Sequence, residues 1–457
     1  MSDEASSGDA ESACGATRRL ARFAVRTQIA DLPPAARLQG VRAFVNWAGC
    51  VVGARSHESV AGVRDALAVY SGPEEATAFG ARRRFSMMQA ALFNSMAASV
   101  RVFEDTYLAA TVHPTSPVAA AALAVGEHLH ASGEAVLAAL IVGDEITCRA
   151  ANMLTRPPAK WHLGLYMTGI AGGIGAAVAA ARLMQLGERE TAWAIGMAVM
   201  HAAGVRALHG TQSIYMMAGN AARAGVQAAL LARAGVTSTE TALEAPRGFA
   251  DVFASRPNIG AATDRLGEVY EMLEIAYKPW PCGVVAHAGI DGCLMLQRKH
   301  RIEAALIDRV EIDICAAGVA LCGVRHPRDH MQCRNSLHHW AAVSLLRGQA
   351  TIAEEMLTGD AGVRALRGRI HATAAPEMAA DAARVRIVMR DGRTLEEHID
   401  HCLGSRERPM DDGALDDKFL GQARVVMGEA EAHDALAACR EIAGARDVTS
   451  LVAALDR

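Results

Sequence analysis

Two stretches of this chain concentrate side chains able to move protons. Glu104-Asp105-Thr106, followed by His113-Pro114, sets carboxylates, a hydroxyl and an imidazole close together. The pattern reads as a helix end and the loop after it, where small catalytic groups commonly sit. A surface cap and loop is the alternative. Tyr277-Lys278-Pro279-Trp280-Pro281-Cys282 isolates one lysine in an apolar, proline-stiffened segment. Desolvation there would lower its pKa and suit it to act as a general base; a junction lysine reaching out to solvent is the other reading. The histidines at 326, 330, 338 and 339 lack an HExxH pattern and a carboxylate third ligand, so no metal centre is expected. Gly169-Ile-Ala-Gly172-Gly173-Ile-Gly175 lacks the strand and spacing of a dinucleotide fingerprint, and there is no Walker motif. It reads as close helix packing. No cofactor is expected.

These groups must be held by helices. Apolar spacing of 3.6 predicts helices from Asp31-Leu-Pro-Pro onward and over 57–70, 86–101, 116–131, 134–153, 189–203 and 217–235. The 21 uncharged residues Trp161–Ala181 could span a bilayer by length. They are mostly Gly and Ala and include His162, so a buried, tightly packed helix is expected and no membrane contact. After residue 265 the pattern changes: Val310–Cys315 alternates like a strand, and 385–399 reads as a hairpin around Asp391-Gly392. The expected fold is mainly α. It comprises a disordered leader (1–16), a large all-helical domain (17–265), a smaller α+β lid domain (266–400) and a C-terminal helical segment (401–457) returning to the first.

The 457 residues are 51% hydrophobic and carry a net charge of −4. That excludes a disordered chain and offers no basic field for nucleic acid. Ten cysteines without a CxxC pair read as reduced core residues of a cytoplasmic protein.

Ordered blocks then carry a resemblance: Phe103-Glu-Asp-Thr106 with His113-Pro114; Gly143-Asp-Glu145; Gly172-Gly-Ile-Gly-Ala-Ala177; Ala218-Gly-Asn-Ala-Ala-Arg-Ala-Gly-Val226; Lys278-Pro-Trp-Pro-Cys282; and Lys418-Phe419. From about 20 to 425 the chain resembles the MmgE/PrpD family, which includes 2-methylcitrate dehydratase, cis-aconitate decarboxylase and iminodisuccinate epimerase. The resemblance implies a helical domain and a lid with the active site between them, and usually a dimer. The Ala/Gly-rich helices 116–131 and 164–183 offer smooth faces for that homodimer. The family's histidine, threonine and lysine match His113, Thr106 and Lys278. Three positions depart from the dehydratase and decarboxylase pattern: an aspartate is Val102, a histidine falls on Tyr166 with His162 one turn away, and a lysine two residues after Gln212 is Ile214.

A tyrosine and a lysine on opposite faces of an α-carbon is the arrangement the resemblance implies for the epimerase. The expected chemistry is therefore proton abstraction α to a carboxylate of a small di- or tricarboxylate. Lys278, Tyr166 and His113 would be catalytic; Asp105, Thr106, His162, Arg206 and Gln212 would bind substrate. The enediolate would be held by His113, Arg206 or amides near Gly172. A dehydratase using His113 as acid is the alternative, then a decarboxylase, then a non-catalytic carboxylate binder.

Overall fold

The structure, a computed structural model, describes residues 15–457. The leader expected over 1–16 therefore lies almost wholly outside the described residues, and Ala16 already opens a helix and is buried. The longer helices of the first part are α1 (Ala16–Arg26), α2 (Pro34–Ala54), α3 (Glu58–Leu67), α4 (Met87–Ser99), α5 (Thr115–His128), α6 (Gly133–Thr155), α7 (Met167–Leu183), α8 (Glu188–Val199) and α9 (Tyr215–Arg233). Ser86 and Ser132 accept from Gln89 N and Ala135 N and so cap α4 and α6. Helix α7 is the hub, packed by α5, α6, α8 and α9. Its glycines permit this: a Cβ at Gly175 would overlap the Gly143 carbonyl and Thr147 Oγ1, and one at Gly172 would press on the Pro117 ring. The glycine run is thus a packing device; Gly172 lies buried in the interior of the helix, where its amide belongs to the helix ladder, and does not line the cleft expected to hold substrate.

Helix α7 is shorter than the uncharged stretch suggests. Trp161–Tyr166 is a loop with a turn at Leu163-Gly164 that pairs Leu165 with Val205; Tyr166 only precedes the first turn of the helix. No helix among the described residues is long and apolar enough to cross a membrane.

The second unit is built on a four-stranded sheet of β3 (Ile307–Ile314), β4 (Ile370–Ala374), β5 (Ala383–Met389) and β6 (Thr394–Ile399), in the order β4-β3-β5-β6; β3–β4 is parallel and the other pairs are antiparallel. Helices α10 (His287–His300) and α11 (Leu337–Arg347) cover one face. In β3 and β5 the alternation of the sequence becomes alternating burial. The apolar core divides in two near residue 278: Tyr270, Met272, Ile275 and Tyr277 pack with the helices, whereas most buried apolar residues from Trp280 to Cys402, though not Met331, form the second cluster. From Met410 the chain returns to the first cluster, with α12 (Asp412–Ala423) and α13 (Glu429–Arg440) against α2.

One short pairing joins the two units. Strand β1 (Asp105–Tyr107) runs antiparallel to β2 (Ile275–Tyr277), Asp105 opposite Tyr277. The stretch read as a helix end and loop is therefore a strand. Helix α4 stops at Ser99, and Val102 takes a φ of 53°, a left-handed conformation strained for a β-branched residue. The backbone then straightens into β1. The segment leading to β2 is docked on α6: buried Arg149 pairs with Glu145 at 2.5 Å and donates to the Asp264 and Val269 carbonyls at 2.8 and 2.6 Å. Glu145 in turn accepts from Met272 N at 2.9 Å.

Candidate active site

The register of β1 on β2 sets the chemistry. One residue beyond the Asp105–Tyr277 pair, Glu104 stands across from Lys278 where both chains leave the ladder. Lys278 Nζ lies 3.3 Å from Glu104 Oε1, with the two side chains 1% and 4% exposed. Glu104 Oε1 is also 3.7 Å from His113 Nε2. The imidazole is oriented by its other nitrogen. Nδ1 lies 2.7 Å from the Asp105 carbonyl, which can only accept, so Nδ1 carries the hydrogen and the neutral ring presents a bare Nε2. Burial, then the Lys278 charge, holds the His113 pKa well below its ordinary value. In this resting form His113 is an acceptor at Nε2, and it serves as a donor to an enediolate or as an acid only after taking a proton there.

Tyr166 enters from the N-terminus of α7. Its ring centroid is 6.1 Å from that of His113 and 6.2 Å, edge to face, from that of His209. Burial, then the charge of Glu104, pushes its pKa up, so the phenol rests protonated. The Leu165–Val205 bridge ties this segment to Arg206, whose Nε donates to the Leu165 carbonyl at 3.0 Å. Arg206 has no carboxylate partner among the described residues. His209, three residues on, is held to a pKa of about 4 by burial and by Arg206.

Lys278, His113, Tyr166, Arg206 and Glu104 line one cleft of about 740 Å³, counting its mouth, between the helical domain and the loops at 283–285 and 321–335. The other expected binding residues stand elsewhere. Asp105 and Thr106 lie behind the cleft wall. Thr106 Oγ1 donates to the Asp105 carbonyl at 2.8 Å and sits 3.1 Å from His113 Nδ1, so it helps fix the ring and has no side-chain face to substrate. Asp105 turns away to Thr115 Oγ1, which also contacts Asp144 Oδ2 at 2.8 Å. A single hydroxyl proton cannot serve two carboxylates, so this buried pair shares a further proton. Burial raises Asp105 to about 6 and also holds Asp144 well above its ordinary value, although Thr115 pulls the other way. His162 is exposed, with Nδ1 accepting from Gly164 N at 3.0 Å, and Gln212 is exposed on a short 3₁₀ turn; neither lines the cleft. Both were placed by alignment alone, and the backbone there is extended or turned where a helix would have aimed them inward.

Composition and spacing miss several lining residues. Tyr215 and Arg334 come from opposite sides of the cleft and meet: Arg334 Nη1 donates to Tyr215 Oη at 2.7 Å, and its Nε pairs with buried Glu355. Nothing in the local sequence marks them, since the contact joins α9 to a loop of the second unit. Behind the ladder, Lys418 of α12 reaches within 2.8 Å of the Lys278 carbonyl. The three departures noted above fall together: Val102, Tyr166 and Ile214 all line this same cleft.

The arrangement defines a two-domain, mainly α protein whose titratable side chains converge at the junction of its domains. Profiles of the MmgE/PrpD N-terminal domain and the MmgE/PrpD C-terminal domain match residues 18–261 and 280–442. The chain belongs to the MmgE/PrpD family and is an enzyme of that type. Cis-aconitate decarboxylase of Homo sapiens is 26% identical over 376 residues, spanning 78% of this chain and 76% of that protein. Cis-aconitate decarboxylase of Aspergillus terreus is 24% identical over 488 residues, spanning 99% and 95%.

Proposed function

We propose that this enzyme, without a cofactor, removes a proton α to a carboxylate of a small dicarboxylate and returns one to the opposite face, in the two-base manner of an iminodisuccinate-type epimerase but on a substrate with fewer carboxylates than the four of iminodisuccinate. The observation that carries the reading is the clustering of Val102, Tyr166 and Ile214 in one cleft that keeps Lys278 and His113. By the family pattern, that wall has exchanged a carboxylate, an imidazole and an ammonium for two apolar side chains and a phenol. Fewer fixed charges suit a substrate with fewer carboxylates, because an unmatched buried charge costs several kcal/mol (roughly 3–5). Arg206 is the cleft cation not committed to a carboxylate and holds the substrate's enediolate oxygens.

In one direction the Lys278 amine takes the α-proton, breaking C–H and forming N–H. The Tyr166 phenol then gives its proton to the other face, breaking O–H and re-forming C–H. The reverse reaction starts from the tyrosinate and the ammonium. Glu104 Oε1, 3.3 Å from Lys278 Nζ and 3.7 Å from His113 Nε2, begins a path for the proton of the ammonium; His113, its ring centroid 6.1 Å from that of Tyr166, would pass it on to the tyrosinate so that the two states interconvert. A neutral His113 with a bare Nε2 suits that relay. The homodimer we propose cannot use the faces of α5 and α7, because both helices are covered within the chain. Leu163 and Val205 beside the cleft, 46% and 49% exposed, are one apolar patch open to it, and we place the contact there. Among the described residues nine free, buried cysteines fit the cytoplasm as its compartment.

The test is incubation in deuterated water with 2-substituted dicarboxylates, citrate-type tricarboxylates and cis-aconitate, followed by NMR. Exchange with racemisation of a dicarboxylate is expected. Olefin formation assigns a dehydratase instead, and carbon dioxide from cis-aconitate assigns the decarboxylation for which the relatives are named.

A further inference from the structure

Only four of the 46 basic residues of this chain are lysines: Lys160, Lys278, Lys299 and Lys418. Two of the four are buried side by side. Arginine stays charged and carries a broad fork, whereas lysine is a compact point charge that burial can tune. Lys418, on α12, is 8% exposed. Its Nζ donates to Asn46 Oδ1 at 2.6 Å, to the Phe103 carbonyl at 2.7 Å and to the Lys278 carbonyl at 2.8 Å. Three acceptors take the three N–H bonds of an ammonium, and a neutral amine would leave one of them unserved. The Phe103 ring, 4.1 Å from Nζ, favours the same charged form.

The acceptors are the informative part. The Phe103 carbonyl directly precedes Glu104, and the other carbonyl is that of Lys278 itself. Asn46 belongs to α2, the helix against which the C-terminal segment packs. One cation therefore grips both chains at the point where they leave the β1–β2 ladder, which is where their side chains must stand 3.3 Å apart.

We propose that Lys418 is a positioning residue for the reaction: it clamps the backbone at Phe103 and Lys278 and thereby sets the Glu104–Lys278 geometry on which proton transfer depends. The proposal rests on the reading of Lys278 as an acid–base group, and it explains why the chain returns from the second unit to the first. The groups facing Lys418 are Cys50, Glu104, Asp105 and Lys278; burial, partly offset by Cys50, brings its pKa down to about 8. Above that pH the clamp loses one of its three bonds, so wild-type activity falls on an alkaline limb near 8.

The first test needs no substrate. With selectively ¹³C,¹⁵N-labelled lysine the protein gives four side-chain signals. In Lys418→Met the Lys278 signal is expected to shift or broaden while those of Lys160 and Lys299 stay in place. An unmoved Lys278 signal overturns the clamp, whatever reaction the enzyme proves to catalyse. The second test is solvent-deuterium wash-in on the best substrate of the carboxylate panel. Lys418→Met should lower kcat about 10–100-fold with KM little changed, the scale expected when a reacting group is displaced by about 1 Å. Lys418→Arg keeps a charge and several donors; it should recover part of kcat and lose the limb near pH 8. A kcat within twofold of wild type in Lys418→Met, or an identical pH profile in Lys418→Arg, overturns the proposal. Should Lys418→Met not fold, Asn46→Ala removes one acceptor, leaves the lysine in place and is read in the same two ways.

Discussion

At the scale of single residues the site turns on which atoms carry protons. Asp105 contributes through its backbone: its carbonyl fixes the Nδ1–H form of His113, and its carboxyl faces the other way, toward Asp144. Residue type and spacing nominated Lys278 and His113, and the resemblance added Tyr166 and Arg206; these four share one cleft. The same reasoning did not separate Glu104 from its neighbours, because only the strand register tells which of three adjacent polar side chains faces Lys278. Two expectations follow. Lys278→Ala should lower kcat by about 10²-fold or more with the fold intact, checked by turnover against a thermal melt. Glu104→Gln keeps the shape, removes the ion pair and breaks the proton route. It should slow interconversion of the two protonation states, seen as a fall in kcat that exceeds any fall in single-turnover wash-in.

At the scale of elements, the long helices and the β3–β5–β6 ladder were legible, since their periods run over many residues. The β1–β2 pairing was not. Three residues on each side give no period, and the partners are separated by most of the helical domain. The helix start at Met167 was missed for a related reason: an uncharged run does not reveal where its loop gives way to helix. The packing of α7 yields a stability prediction. Gly175→Ala should cost about 1–3 kcal/mol by overpacking against α6, measured by denaturant unfolding. The carboxyl pair beneath β1 gives a pH dependence. Asp105, raised to about 6, binds its proton more tightly folded than unfolded. Its contribution is therefore present below the unfolded value near 4 and is lost as pH rises from about 4 to about 6. Asp144→Asn relieves the like charge, so the slope of unfolding midpoint against pH over that window should flatten.

At the scale of the whole molecule, three pieces of chain meet at the cleft. The first core supplies Glu104, His113, Tyr166 and Arg206. The second unit supplies the opposing wall, and the C-terminal segment supplies Lys418. The change from helical to alternating periodicity after residue 265 pointed to two units; the crossing contacts left no such mark, because Arg334–Tyr215 and Lys418–Lys278 join residues 119 and 140 apart. Burying both smooth helices inside the chain also moves any dimer contact to another surface. Light scattering should give about twice the 48.1 kDa chain mass at micromolar concentration, and Leu163→Glu with Val205→Glu should return it to one chain mass.

The most direct test of two-sided proton transfer is Tyr166→Phe, which removes one oxygen and little volume. With each enantiomer of the substrate in deuterated water, inversion and deuterium wash-in are followed separately. The account predicts that inversion falls by about 10²-fold or more while Lys278 still exchanges the proton of one enantiomer and not the other. Inversion within twofold of wild type, with both enantiomers exchanging alike, would contradict it.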